Sequence, residues 1–224
     1  MPFSRRKDAV RLWETALCLT QGTTETDMET LLGIAVGLGL SAACGFRVFV
    51  PLLVMNLASL SGHLHLASDF AWIGTSYATV AFAAATIVEV LGYYIPWLDH
   101  ALDIAATPTA FIAGILATAS LVTDMSPFLK WTLALIAGGG IAGLVQGTTV
   151  TLRTTSLAST AGLGNPLVST LELGASIFLS LLAILVPILC IALIGFLCVF
   201  VIRKAGRLVF RKRSSHKDEA HAGL

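Results

Sequence analysis

Charge is what this chain has least of. Asp, Glu, Lys and Arg make up 12% of its 224 residues, while 56% are hydrophobic. Soluble domains carry roughly a quarter of charged residues, and a soluble globule of this size could not cover its core with so few. The composition excludes that class and leaves an integral membrane protein. Cysteine is scarce too: Cys18, Cys44, Cys190 and Cys198, with no CxxC pair. That pattern gives neither a disulfide framework nor a zinc site, and in apolar segments Cys behaves as a small hydrophobe. Catalytic signatures are missing, with no HExxH, no GxSxG and no phosphate-binding glycine loop. GLGLSAACG has no strand before it to make a dinucleotide fingerprint. Neither enzymatic activity nor a cofactor nor a bound metal is expected. A net charge of +1 gives no reason to expect a nucleic-acid partner.

What is present is apolar sequence in long runs. A spanning helix needs about 20 apolar residues. Residues 31–61 would make a helix of about 46 Å, too long for a hydrocarbon core of about 30 Å. The run is interrupted at Cys44-Gly45-Phe46-Arg47 and at Pro51, so a broken, kinked or re-entrant first span is expected. Further spans are expected at about 76–95, ended by Pro96, at 110–123 and at 128–146. The stretch after Asn165-Pro166 holds one charge, Glu172, and Pro187 divides it into spans at about 167–186 and 188–201, although one long kinked helix is the rival. The fold class expected is all-α with about six transmembrane helices.

With six spans both termini share a side. That side receives Arg5, Arg6, Lys7, Arg11, Arg153, Arg203, Lys204, Arg207, Arg211, Lys212, Arg213 and Lys217, and the other receives Lys130 alone. The bias places both termini on the cytoplasmic side of the membrane. Residues 1–29 then form a cytoplasmic segment whose start, MPFSRRKDAVRLWETALCLT, is interrupted by Glu14 and reads as an amphipathic surface helix, not as a signal peptide. Residues 30–206 form the transmembrane domain. Residues 207–224 form a basic tail beside anionic lipid.

Small residues recur at four-residue spacing, as Gly37, Ser41 and Gly45 in the first span and as Gly139, Gly143 and Gly147 in the fourth. Such ladders let helix backbones approach closely, within a chain or between copies in a homo-oligomer. Each is followed by an arginine, Arg47 or Arg153, and then by a helix bearing one glutamate, Glu89 or Glu172. Half-repeats of about 31–125 and 128–206 would lie in opposite orientation, as in a three-plus-three inverted-topology repeat, with a binding site between the halves.

A carboxylate at the centre of a span costs about 2.5–3.5 kcal/mol. Glu172 lies on a polar face with Asn165, Ser169, Ser176 and Ser180; Glu89 shares a face with Thr79, Phe82, Thr86 and Tyr93. Both faces should turn to the bundle interior. Arg47 can answer one glutamate at most, as a structural pair. The other must be protonated, bind an ion or face water. In PWLDHALDIAATP, Asp99 and Asp103 share a helix face beside His100. They form the cytoplasmic mouth of a pathway or, for Asp99, the cap of an interfacial helix. His63 and His65 read as loop residues on the outer side.

GLGLSAACGFRVFVPLL, then E-x5-IPWLDHALD…TP, then GLGNPLVSTLE resemble an uncharacterised, mostly bacterial membrane-protein family, domain of unknown function 4126. The resemblance covers about residues 31–200 and implies a multi-pass membrane protein, with no activity attached. It marks Arg47, Pro51, Glu89, Pro96, Asp99, Asp103, Asn165, Pro166, Ser169 and Glu172. Where the family often has Asp-Lys before Ile-Pro, this chain has Tyr93-Tyr94. The expected function is a small transporter or channel for an ion or small solute. Glu89 and Glu172 would bind a proton or cation, Arg47 would be a counter-charge or anion contact, and Asn165 and Ser169 would be polar ligands. The alternative is a scaffold that binds lipid or a protein partner. A membrane enzyme built on Asp99, His100 and Asp103 is a third reading.

Overall fold

The computed structural model describes residues 28–93, 95–123, 125–160, 164–196, 199–200 and 203, with backbone only at 96–100, 103, 157–160 and 165. The expected surface helix and linker within 1–27, the basic tail 207–224, Cys18 and Cys198 lie outside the described residues. So do the side chains of Asp99, His100, Asp103 and Asn165.

Every described element is helical. The order is α1 (Met28–Cys44), α2 (Phe49–Leu60), a 3-10 helix (Ser68–Gly74), α3 (Ser76–Gly92), α4 (Pro96–Leu121), α5 (Pro127–Leu133), a π-helical segment (Ala134–Gly139), α6 (Gly140–Thr160), α7 (Asn165–Leu185) and α8 (Pro187–Phe196). Local chemistry sets several boundaries. Thr75 caps α3 by accepting the Ala78 amide, and Ser126 caps α5 with Pro127 in the first turn. The positive φ of 75° at Gly62 lets the chain turn away after α2.

Three stretches are long and apolar enough to cross a membrane: Ile104–Leu121, Pro127–Ser156 and Pro166–Leu185. A fourth crossing arises if the 3-10 helix and α3, bent by 64°, count as one span. The expectation of six crossings is therefore met only as three or four. The two longest apolar runs break into pieces: α1, α2 and α8 are shorter apolar helices. At 1.5 Å per residue, a 17-residue helix such as α1 reaches only about 26 Å.

Two further expectations change. The segment around Asp99 is no separate interfacial helix, because Pro96 opens α4 and the helix runs on through Pro108. The fourth span does not stop near Gln146. It continues past Arg153, which lies buried within a helix and not in a loop.

The core is made of small residues, among them Ala42, Ala43, Ala113, Ala117 and Ala183. The first ladder works as expected. Ser41 Oγ donates to the Gly114 carbonyl at 2.7 Å and meets Thr118 Oγ1 at 2.8 Å, tying α1 to α4. The second ladder works in part: a Cβ on Gly139 would lie 2.7 Å from the Phe111 ring of α4, whereas one on Gly147 would meet nothing within 4 Å. A further close approach pairs Gly114 with Gly138: a Cβ on Gly114 would lie 2.8 Å from the Gly138 carbonyl oxygen. Outward faces are apolar, as Val80, Ile87, Val88 and Leu91 show along α3.

Candidate functional site, a buried charge cluster at a helix break

The first apolar run breaks between α1 and α2. Non-helical backbone at membrane depth survives only where its polar groups are met inside the protein. The end of α1 is met by turn bonds, Gly45 N–H to Ala42 O and Phe46 N–H to Ala43 O, and by Ser176 Oγ of α7, which donates to Ala43 O at 3.1 Å. The start of α2 is met by Glu89. Its carboxylate accepts the Val48 amide at 2.8 Å and the Phe49 amide at 3.1 Å. Val48 is the N-cap of α2 and makes no side-chain cap bond of its own. Glu89, reaching in from α3, caps α2 from outside and sets a negative charge at the positive end of its dipole.

Arg47 sits in the same break and is 1% exposed. Its Nη2 donates to the Ser169 carbonyl at 3.0 Å and to Ser169 Oγ, and lies 3.8 Å from Glu172 Oε2. Glu172 is held chiefly by Arg153. Nε donates to both carboxylate oxygens, at 2.9 and 3.0 Å, and Nη2 also meets Oε2. The guanidinium carbons of Arg47 and Arg153 each lie 3.9 Å from the centroid of the buried Tyr93 ring. Cation–π contacts of this kind, when desolvated, contribute about 2 kcal/mol each.

Arg47, Glu89, Ser169 and Glu172 thus lie around one helix break. Arg47 approaches Glu172, and Glu89 is answered by backbone amides. Asn165 opens α7, one turn before Ser169. The first turns of α4 carry Asp99, His100 and Asp103. His63 and His65 are exposed in the loop after α2. The residue that sequence reasoning missed is Arg153. Gln146, Thr149 and Arg153 are all buried, and their helical spacing was a polar inward face of α6 that could have revealed it.

The cluster holds two guanidiniums and two carboxylates. Arg47 keeps two donors, Nε and Nη1, that are buried and have no hydrogen-bond partner among the described residues. Thr86 Oγ1, one turn before Glu89, is in the same condition. Such orphaned donors are rare in structural ion pairs, whose remaining groups are normally satisfied.

No curated protein and no solved structure matches the chain. A family model matches residues 34–207, which contain the whole cluster, and the chain therefore belongs to the family described as domain of unknown function (DUF4126).

Proposed function

We propose that this multi-pass membrane protein is a small transporter or channel for an ion or small solute, which passes the break between α1 and α2. Arg47 carries this reading. It is buried at the break, yet two of its donors have no hydrogen-bond partner among the described residues. A solute with anionic character would take those N–H groups and loosen the 3.8 Å approach to Glu172. Glu89 and Glu172 set the field around that step, and Ser169 positions Arg47. Asp99, His100 and Asp103 form the mouth toward the basic side. No catalysis and no cofactor enter this reading.

The half-length helices complete a six-crossing bundle in this reading, with α1 and α2 as one broken crossing and both termini in the cytoplasm of a bacterial inner membrane. An inverted repeat belongs to this reading, since each glutamate takes its hydrogen bonds from its own half: Glu89 from the Val48 and Phe49 amides, and Glu172 from Arg153. The basic tail contacts anionic lipid, and the open face at Gly147 is available to a second copy. A second reading, a scaffold that binds lipid or a protein partner, is favoured by one observation: both carboxylates already have protein partners.

The test is flux in proteoliposomes under gradients of sodium, potassium, chloride, fluoride and small organic acids. Wild type is compared with Arg47→Met, Glu89→Gln and Glu172→Gln. Flux in wild type that disappears in folded variants is expected. Flux no greater than in empty vesicles for every solute moves the assignment to the scaffold.

A further inference from the structure

A cavity of about 280 Å³ lies between the start of the 3-10 helix and the start of α5. Leu66, Ser68, Met125 and Trp131 line it, together with Lys130 and Asp69. Lys130 is 7% exposed, an unusual state for a lysine. Its ammonium lies 3.8 Å from Asp69 Oδ2 and 5.0 Å from the centre of the Phe70 ring. The first distance exceeds hydrogen-bond range, and no hydrogen bond joins Nζ to any described residue. Asp69 is a loose partner, its side chain being 80% exposed. A buried cation with no hydrogen-bond partner among the described residues therefore opens into a cavity near the small end of ligand-site volumes.

The surroundings indicate the chemistry. Trp72, Tyr77, Phe128 and Trp131 are exposed at this end of the molecule. Exposed aromatics mark the level of lipid headgroups. A lysine binds phosphate as a point charge, and the apolar lining suits the carbon skeleton attached to it. The geometry points to a phosphate site at the membrane interface. Lys130 holds the phosphate oxygens, and Asp69 swings toward solvent as they enter. The phosphate belongs either to a phospholipid headgroup or to a free phosphate ester, and the test separates the two sources.

The full-length protein in detergent is studied by native mass spectrometry with dioleoyl phosphatidylglycerol and with dioleoyl glycerol, which has the same tails and no phosphate. In parallel, inorganic phosphate and glycerol 3-phosphate are titrated against tryptophan fluorescence. Wild type should retain phosphatidylglycerol over dioleoyl glycerol. Lys130→Gln should weaken retention about ten-fold or more, and Asp69→Asn should strengthen it. The basic tail is unchanged in both variants, so its own lipid binding cancels. A Lys130-dependent response to the lipid alone assigns the headgroup, and one to the soluble phosphates assigns the free ester. The proposal is overturned if neither probe responds to Lys130→Gln, or if Asp69→Asn binds more weakly than wild type. The exposed Asp69 position keeps that second criterion usable even if Lys130→Gln fails to fold.

Discussion

Replacing Glu89 with glutamine tests whether a side chain from α3 caps α2. Two amides depend on it, Val48 N–H at 2.8 Å and Phe49 N–H at 3.1 Å. Glutamine keeps one carbonyl oxygen and turns an NH2 toward the other amide. One buried donor is then left unmet, at a cost of about 1–3 kcal/mol. Losing the negative charge at the helix N-terminus adds roughly 0.3–2 kcal/mol. Relief from burying the carboxylate does not cancel this, because α3 stays within the micelle after thermal unfolding and the burial cost is common to both states. The sum is about 1–5 kcal/mol, and at roughly 2–4 °C per kcal/mol the melting temperature should fall by about 3–20 °C. Melting is followed in detergent, and hydrogen exchange at Val48 and Phe49 reports the cap itself. Both amides should lose protection in Glu89→Gln. Unchanged exchange at these amides, with melting at or above the wild-type temperature, would refute the capping role.

Arg153→Met should cost about 3–5 kcal/mol by leaving Glu172 with only the 3.8 Å approach of Arg47. Combined with Glu172→Gln it should cost less than the two single changes added together, by about 0.5–3 kcal/mol, as a double-mutant cycle of melting temperatures would show. Gly114→Ala should destabilise by about 1–3 kcal/mol, since its Cβ would lie 2.5 Å from Ala142 Cβ and 2.8 Å from the Gly138 carbonyl oxygen. Gly147→Ala, with open space around it, should melt at or slightly above the wild-type temperature because alanine favours the helix.

Where the sequence carried a period or a breaker, the structure was legible. Cys44-Gly45-Phe46-Arg47 marks the break between α1 and α2, and Pro51 is tolerated in the first turn of α2. The stripe through Ser169, Glu172, Ser176 and Ser180 is buried along its whole length. Arg153 was obscured by composition. TTVTLRTTSLAST reads as a polar loop, but its threonines turn their hydroxyls onto their own helix, Thr151 to Gly147 O, Thr154 to Val150 O and Thr155 to Thr151 O. Threonines bonded in this way lose much of their demand for water, and α6 runs on. The partner of Glu89 had no signature, because backbone amides belong to every residue. Six spans were expected where three or four helices are long enough to cross, because apolar length alone does not reveal half-length helices. The Lys130 cavity depends on how two separate loops meet, which periodicity does not encode.

Hydration at Thr86 is the most direct test of the proposed pathway. Its Oγ1 is buried without a described partner one turn before Glu89, and it takes no part in the ion pairs. Thr86→Cys, in a chain whose four native cysteines are serine, is exposed to a membrane-impermeant thiol reagent from each side in turn. Ser61→Cys, at an exposed loop position, serves as the control. A pathway through the break predicts labelling at Thr86→Cys from the water phase, slowed by the conducted solute. No labelling from either side, with the control fully modified, would contradict it and leave the charge cluster as structural glue.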